Sequence, residues 1–402
     1  MNGIQQIPKD WKWVKLGEVC DKISLNKIKI KQKDYLEEGL YPVVDQGQSL
    51  IGGYYNNESL LIPNSPPYII YGDHTKIKKY INFNFIAGAD GVKVLKAKET
   101  INSKFLFYSL FTIKIEDKGY ARHFQLLEKE LFLLPPKSTQ QAIVSKIEEL
   151  FSELDKGIEN MRTAQQQLKT YRQAVLKWAF EGKLTNENVK DEELPKGWKL
   201  VNMDFLLSNL KKGMGTGPFG TMLKKHEHQK IGVPVLGIEN IGEGVFQMPN
   251  KIFVTDEKAI ELKNFRVQEN DIIISRSGTV GEICLLPKKM ENSIISTNLI
   301  RVSLNLEIIN PKYFVYLFQG GKVRQQVLDL CKGSSRAFLN QTILNSLDIP
   351  FCSLKEQNKI IQEIERRLSV ADKMEESITQ SLQQAEALRQ SILKKAFEGK
   401  LL

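Results

Sequence analysis

A segment of 42 residues occurs twice in this chain without a gap, and this repeat constrains the fold more than any other feature. The copies run from Ile143 to Leu184 and from Ile360 to Leu401, and 19 of their positions are identical. Both copies end in AFEGKL, lack proline, and consist mainly of residues that favour helices. The repeat therefore predicts two long helices of equal length.

Apolar residues recur every seven positions in both copies, which predicts a seam for helix pairing. Because alanines at seam positions let two helices approach closely, we expect the two helices to pair with each other as an antiparallel coiled coil with pseudo-twofold symmetry. The glycine of each AFEGKL suits a left-handed residue just after a helix, and the lysine suits the negative end of the helix dipole. The predicted seam residues are Ile147, Leu154, Met161, Leu168 and Val175 in the first helix, and Ile364, Ile378 and Ile392 in the second.

The similarity extends beyond the helices into the segments that precede them. INSKFLFYSL at Ile101 resembles INPKYFVYLF at Ile309, and GYARHF before the first helix resembles GSSRAF before the second. Short β-rich runs bounded by Gly, Pro, Asn and Asp predict mixed α/β domains. The chain is therefore predicted to be an α+β tandem duplication, with globular domains at 1–133 and 187–349 and helical regions at 134–186 and 350–402.

The formal net charge of +10 lies mainly outside the helices, since the two repeat copies together contribute only +1. A basic surface on the globular domains suits a polyanionic partner such as nucleic acid. Four cysteines without CxxC spacing indicate reduced thiols in an intracellular protein. The sequence shows neither a run of 18 apolar residues nor an export signal, so a cytoplasmic location is expected.

Several motifs resemble those of the specificity (S) subunit of type I restriction–modification systems. YPVVDQGQSLIGGY and IIYGDHTKIKKY in the first domain are similar to signatures of its target recognition domains. GTGPFGTMLKK, GVPVLGIENIGEG and ENDIIISRSGTVGE in the second domain are similar to another version of them. LPPKSTQQAI, IPFCSLKEQNKI and the two AFEGKL ends are similar to its conserved helical regions.

The resemblance implies a non-catalytic subunit without a cofactor or a metal. Each of its two target recognition domains would read one half of a bipartite double-stranded DNA site. The resemblance also implies that the chain binds two modification (methyltransferase) subunits and, through them, restriction (nuclease–translocase) subunits.

Helix length suggests a further role. A helix of about 37 residues spans about 55 Å, which corresponds to roughly 16 base pairs of duplex DNA. The paired helices would then act as a ruler that fixes the spacing between the two half-sites.

Candidate DNA contacts come from basic and hydroxyl side chains near glycine, because Arg reads guanine and Lys, Ser and Thr suit phosphates. Arg122 and Arg336 share a position in the duplicated GxxRxF, which favours a backbone or structural role over base readout. For each candidate, an ordinary solvated surface is the alternative. The candidates are His74, Thr75, Lys76, Lys78 and Arg122 in the first domain, and Thr216, Lys224, Lys225, Arg276, Ser277, Thr279 and Arg336 in the second.

Two other functional classes fit parts of the sequence. SPPY at Ser65–Tyr68 matches the motif with which amino-methyltransferases hold a flipped adenine, so an autonomous DNA adenine methyltransferase is the alternative function. A turn that leads into the strand YIIYG is the favoured interpretation of SPPY. A coiled-coil interaction protein that does not bind DNA is a third possibility. His226 and His228 have no third metal ligand at a suitable spacing, which favours surface histidines.

Overall fold

The computed structural model describes residues 9–25, 28–88, 91–116, 119, 122–186, 189–190, 193–209, 213–242, 244–331 and 338–402. The chain divides into two compact units, one of residues 1–162 with 379–402 and the other of residues 163–378. Both unit boundaries fall inside the long helices, so each unit contains one globular domain and part of each helix.

The first globular domain is an α+β domain with three short helices. Its helices are α1 (Leu16–Val19), α2 (Ser103–Ser109) and α3 (Phe124–Leu127). Its strands are β1 (Lys12–Lys15), β2 (Cys20–Ile23), β3 (Lys29–Ile30), β4 (Tyr41–Val44), β5 (Gly53–Tyr55), β6 (Tyr68–Gly72), β7 (Lys78–Ile81), β8 (Ile86–Gly88), β9 (Val92–Ala97) and β10 (Leu131–Leu134).

The first long helix, α4 (Lys137–Phe180), follows this domain and leads to a second α+β domain. The helices of the second domain are α5 (Met203–Leu206), α6 (Asp256–Glu261), α7 (Pro311–Gln319), α8 (Gly321–Cys331) and α9 (Gln341–Asn345). Its strands are β11 (Lys199–Val201), β12 (Met214–Thr216), β13 (Val233–Leu236), β14 (Ile241–Gly242), β15 (Val245–Phe246), β16 (Ile252–Val254), β17 (Ile272–Ser275), β18 (Ile283–Leu285), β19 (Ile294–Ile295), β20 (Leu299–Val302) and β21 (Ile349–Phe351). The second long helix is α10 (Leu354–Phe397).

The two domains share the order and direction of their main strands, which confirms the duplication; among the described residues, β3 occurs only in the first domain and the β14-β15 pair only in the second. An antiparallel sheet in the order β2-β9-β6-β7 corresponds to one in the order β12-β20-β17-β18. In a second sheet β4 pairs in parallel with β8 and antiparallel with β5, and β13 pairs likewise with β19 and β16. The strand that opens each domain pairs with the strand before the following long helix, as β1-β10 and β11-β21.

The long helices α4 and α10 are 44 residues each, so the prediction of equal length is confirmed. Both begin six residues earlier than the repeat indicated, directly after the segments 131–136 and 349–353 that close the domains. A helix of 44 residues spans about 66 Å instead of the expected 55 Å. The repeat underestimated the helices because their first turns differ in sequence while keeping the same structure.

Each AFEGKL ends its helix as predicted. Gly182 and Gly399 have φ values of +76° and +69°, in the left-handed region where a side chain would be strained. The N–H groups of Lys183 and Lys400 donate to carbonyl groups five residues earlier, at 2.9 and 2.8 Å. These bonds satisfy carbonyls that would otherwise be left over at a helix end.

The same hexapeptide also docks each helix end on a globular domain. In the first unit, Ala396 and Phe397 of α10 are buried, and the Phe397 ring lies 5.0 Å from that of Phe105 in α2. In the second unit, Phe180 of α4 is buried 5.3 Å from the ring of Tyr313 in α7. Sequence analysis assigned the hexapeptide only a stop signal, because its docking partner lies far away in the chain.

Within each unit the two long helices pack against each other. In the first unit the start of α4 and the end of α10 share one apolar core, and Asp155 pairs with Arg389. In the second unit the end of α4 and the start of α10 share another core, and Arg172 pairs with Asp372 at 2.6 Å and with Glu375 at 2.8 Å. A start beside an end means antiparallel pairing, as predicted.

The predicted seam is buried most deeply where a globular domain also covers it. Ile147, Val175, Ile364 and Ile392 are buried, as are the seam alanines at 371 and 385. The remaining seam residues are half-buried: Leu154, Met161, Leu168 and Ile378.

A buried glutamine joins each helix start to its domain. Gln140 Nε2 donates to the carbonyl oxygen of Pro135 at 3.0 Å, and its Oε1 accepts from the N–H of Asn102 at 2.8 Å. In the second domain Gln357 makes the same two bonds, with Cys352 and with Asn310, both at 2.8 Å. Each glutamine satisfies one backbone group at the start of α2 or α7 and one directly before its own long helix, and burial makes the loss of such bonds costly.

All four cysteines are free and buried. Burial raises the pKa of Cys20, Cys284 and Cys352 to about 12, and that of Cys331 is also raised by burial. Within the described part of the chain, no helix is both long enough and apolar enough to cross a membrane.

Replacing Gln140 by alanine should lower the free energy of unfolding of the first unit by about 1–3 kcal/mol, because two buried backbone groups lose their partners. Gln357→Ala should do the same in the second unit. Urea unfolding followed by circular dichroism measures both effects. Gln141→Ala is the matched control, since Gln141 is exposed and its side chain accepts from the Asn102 side chain at 2.6 Å. Equal midpoints for Gln140→Ala and Gln141→Ala would contradict this role.

Candidate nucleic-acid interface

Loops that are distant in sequence meet at one edge of the first domain. We call residues 45–49, 73–77 and 122–124 the first loop cluster. The β6–β7 turn contacts the loop after β4, because the His74 N–H donates to Gln46 Oε1 at 3.2 Å. The Thr75 hydroxyl donates to the Gln46 carbonyl oxygen at 2.9 Å. These two bonds fix the turn that carries the predicted contact residues.

The buried carboxylate of Asp73 fastens the same turn to the segment before α3. Its Oδ1 accepts from the Phe124 N–H at 2.8 Å, and its carbonyl oxygen accepts from the His123 N–H at 2.9 Å. The ammonium group of Lys93 lies 3.2 Å from Asp73 Oδ2 and compensates its charge. Arg122, next to His123, is therefore held near the turn and is exposed.

Lysines of β7 are partly withdrawn from solvent. Lys79 Nζ is buried, donates to the Ser49 carbonyl oxygen at 2.5 Å and lies 3.8 Å from Asp45. Lys78 Nζ lies 4.8 Å from the centre of the Phe111 ring, and burial, then the charge of Lys76, lowers its pKa. The protein compensates Asp73 and Asp45 from within, which favours a positive potential at the surface of this cluster.

The structure therefore brings the first-domain candidates together. Thr75 and Arg122 are exposed, while His74, Lys76 and Lys78 are half-buried. Gln46, which positions the turn, was missed as a single residue, although it lies in the motif YPVVDQGQS. The sequence did not identify Gln46 because its role depends on contact between two loops that are 28 residues apart.

A corresponding cluster in the second domain joins two motifs that were predicted separately. We call residues 217–220, 276–281, 296–298 and 338–339 the second loop cluster. The glycine-rich loop contacts the turn before β20, where the Thr297 hydroxyl donates to the Pro218 carbonyl oxygen at 2.5 Å. The turn after β17 contacts the same segment: the Arg276 N–H donates to Asn298 O at 2.9 Å, and Ser277 Oγ donates to Asn298 Oδ1 at 2.8 Å.

Arg276 is buried, contrary to the expectation of a surface contact. Its guanidinium carbon lies 4.2 Å from the ring centre of Phe338 and 5.3 Å from that of Phe219, and only 6% of the residue is exposed. Burial lowers its pKa. The reason is that a guanidinium group stacks well on aromatic rings, which sequence motifs do not reveal. Ser277, half-buried, and Thr279, exposed, reach the surface of this turn.

The other second-domain candidates lie on different segments. Thr216 is half-buried at the end of β12. Lys224 and Lys225 are exposed at a 3-10 turn, where Glu227 accepts from the Lys224 N–H at 2.6 Å and pairs with Lys258 at 2.8 Å. The two lysines are available to solvent on a turn that this ion pair holds in place.

Equivalent positions in the two clusters carry opposite charges. Asp73 and Arg276 both follow the central strand of their sheet, and each carbonyl oxygen accepts a backbone bond from the segment before α3 or α9. The backbone bonds set His123 opposite Leu339, whereas the helix caps set His123 opposite Asn340. Both alignments differ from the one indicated by GxxRxF. Arg336 lies outside the described residues.

The methyltransferase-like motif SPPY is a turn that leads into a strand. Tyr68 is the first residue of β6 and is buried, and its hydroxyl donates to carbonyl oxygens of residues 62–64. A buried ring held in this way cannot stack on a flipped base. Among the described residues, no group of three or more His, Cys, Asp or Glu side chains could hold a metal ion.

Comparison with known proteins identifies the class of this protein. The family model for the type I restriction modification DNA specificity domain matches residues 8–164 and 219–386. The match includes the first globular domain, the second globular domain from residue 219 onward, and most of both long helices. The chain therefore belongs to the family of type I restriction modification DNA specificity domains.

Curated relatives are specificity subunits of type I restriction enzymes. The chain is 28% identical to the EcoBI subunit of Escherichia coli over 68% of this chain and 59% of that subunit. It is 27% identical to the EcoKI subunit of Escherichia coli strain K12 over 77% of this chain and 68% of that one. The chain thus spans about 59% of the length of the EcoBI subunit.

Solved structures share the fold at low sequence identity. The HsdS subunit from Thermoanaerobacter tengcongensis has a TM-score of 0.60 at 18% identity, covering 99% of both chains. A chain from work on complex assembly and conformational transition of the type I R-M system has a TM-score of 0.69 at 18% identity, covering 98% of this chain and 99% of that one.

Gly217→Ala should lower the free energy of unfolding of the second unit by about 1–3 kcal/mol, because an added Cβ overpacks the loop cluster. That Cβ would lie 2.1 Å from the Ser296 carbonyl oxygen, which is backbone and cannot rotate away. Urea unfolding measures the effect. Gly215→Ala is the matched control, since the nearest neighbour of an added Cβ is the Arg301 guanidinium group at 3.4 Å, which is an ordinary contact distance. Equal stability of the two variants would show that the loop does not need the glycine.

Proposed function

We propose that this chain is the sequence-specific DNA-binding specificity subunit of a type I restriction–modification complex. The observation that carries the proposal is the pair of loop clusters. The same arrangement of strands supports both clusters, but equivalent positions carry different side chains. A duplicated frame suits two similar DNA half-sites, and different side chains suit two different base sequences. Each domain then reads one half of a bipartite, asymmetric site.

Charge supports duplex DNA as the ligand. The chain carries a net charge of +10, of which +7 lies outside the long helices α4 and α10. The candidate contact residues of each domain lie near one another. One edge of the first domain carries His74, Thr75, Lys76, Lys78 and Arg122. The second loop cluster contains or adjoins Thr216, Ser277 and Thr279. We assign Lys224 and Lys225 to phosphate contacts, since both are exposed and lysine binds phosphate without reading sequence.

The long helices carry the assembly role in this proposal. They are nearly neutral, equal in length and docked on the domains in the same way. Two equivalent frames support two equivalent docking positions, which we assign to two methyltransferase subunits. Restriction (nuclease–translocase) subunits would join through them. The relatives are themselves named as specificity subunits, which supports a non-catalytic role.

The decisive experiment maps methylated adenines in a strain that expresses this chain with its neighbouring genes. A bipartite asymmetric motif supports the proposal, and a genome without any new methylated motif contradicts it. Purified chain incubated with S-adenosylmethionine and DNA tests the alternative of an autonomous methyltransferase. Methyl transfer by the chain alone would favour that alternative.

Binding of the mapped duplex should weaken as salt rises, with a slope of log K against log salt of about −0.9 per phosphate contacted. Lys224→Ala with Lys225→Ala should make this slope shallower by about 2, because two phosphate contacts are lost. Fluorescence anisotropy at several salt concentrations measures the slope. Lys169→Ala with Lys373→Ala, exposed on the long helices, is the matched control and should leave it unchanged. If the variant with both Lys224 and Lys225 replaced keeps the wild-type slope, these lysines do not contact phosphates.

Lengthening both helices should lengthen the spacer of the recognised site. Seven residues inserted between Arg162 and Thr163, and seven between Thr379 and Gln380, add about 10.5 Å to each helix while preserving the heptad seam. The mapped spacer should grow by about 3 base pairs of ~3.4 Å each. The same heptad placed between Lys196 and Gly197, in an exposed turn, is the control. A spacer that does not change with helix length would refute the ruler.

A further inference from the structure

Phe219 is a large aromatic side chain exposed at the tip of the glycine-rich loop of the second domain. Half of the residue is accessible to solvent. A single exposed apolar side chain is common on protein surfaces, so exposure alone assigns Phe219 no role. A ring that its neighbours also hold rigidly is pre-organised to contact a ligand, because little side-chain freedom is lost on binding. The question is whether the loop holds Phe219 rigidly.

Three contacts hold the loop in place. Gly217 approaches the backbone of Ser296 so closely that no side chain fits between them. The Pro218 carbonyl oxygen accepts the Thr297 hydroxyl at 2.5 Å. Phe219 itself faces the Arg276 guanidinium group, 5.3 Å from its ring centre. The ring is therefore positioned by its neighbours on one side and open on the other.

Arg276 is in turn fixed from behind. Phe338 lies on it at 4.2 Å, its NH1 group donates to the Thr297 carbonyl oxygen at 3.4 Å, and its backbone bonds to Asn298 and Leu339. The Arg276 guanidinium group thus lies over the rings of both Phe219 and Phe338. The buried arginine acts here as a positioning residue for the exposed ring.

We propose that Phe219 is an apolar wedge that inserts at a base step in the half-site read by the second domain. The inference rests on the proposed function, because it requires that the second loop cluster faces duplex DNA. The polar side chains Ser277 and Thr279 of the same cluster would contact the backbone or base edges, while the ring partly unstacks one step. Phenylalanine, leucine and methionine are side chains that proteins use to kink DNA in this way.

The wedge distinguishes the two domains. The loop tips of the first cluster, residues 46–49 and 73–77, contain no Phe, Tyr or Trp, and Phe124 of the same cluster is buried. The proposal therefore assigns unstacking by an aromatic ring to the half-site of the second domain. Readout in that half depends on how easily a base step deforms as well as on its hydrogen-bonding groups, which adds a preference at bases that no side chain touches.

The experiment uses the full chain and the mapped duplex, with 2-aminopurine placed in turn at each position of both half-sites. Fluorescence of the probe rises when its neighbour unstacks. The wild-type chain should raise it at one step of one half-site. Phe219→Ala should abolish the rise and weaken binding roughly 5- to 100-fold, the range that loss of base–aromatic contact produces. Phe219→Leu should retain most of the fluorescence rise and most of the binding affinity, since leucine also serves as a wedge.

Met222→Ala is the matched control, because Met222 is 45% exposed in the turn that follows the same loop. This variant should leave the fluorescence rise and the binding affinity unchanged. A wild-type chain that binds without any fluorescence rise, or a Phe219→Ala variant that keeps the rise, would overturn the wedge and leave the proposed function intact. The same holds if Met222→Ala abolishes the rise as completely as Phe219→Ala. A wild-type chain that fails to bind the mapped duplex would overturn the proposed function itself.

Discussion

Docking of each helix end on a globular domain is the contact on which both units depend. Neither domain completes its apolar core alone: the first closes on the start of α4 and the end of α10, and the second on the end of α4 and the start of α10. The ring contacts of Phe397 and Phe180 lie in these cores. Burial of such large side chains contributes about 1.5–3 kcal/mol each, so the helices are part of the domains and not merely linkers between them.

The buried glutamines fix the position and rotation of each long helix on its domain. A hydrophobic contact alone allows a helix to slide or rotate, whereas two hydrogen bonds to backbone groups do not. Gln140 and Gln357 tie the first turn of each long helix to the strand before it and to the start of α2 or α7. The starts and ends of the long helices are fixed in the same way in both units. The side chains of the two loop clusters can therefore differ without changing the strands and helices that support them. The opposite charges at Asp73 and Arg276 are an example.

Much of the frame was predictable from sequence because its signals are local. Heptad spacing, helix-forming composition and the glycine of AFEGKL depend on neighbours within a few turns. The candidate site was predictable only by residue type. Arg276 was expected at the surface, yet it lies between two rings brought together from residues 219 and 338. Gln46 escaped notice because its role depends on a turn 28 residues away.

The sequence by itself determined the duplication, the equal and antiparallel helices, the places where they stop, and the basic character of the globular domains. Each of these follows from repetition, periodicity or composition, which are properties of the chain before it folds. Tertiary structure alone decided which loops meet, which charges are compensated from within, and which side chains of a motif reach solvent. The physical reason is that burial, stacking and hydrogen bonding at these loops are contacts between segments far apart in the chain, and no local pattern encodes them.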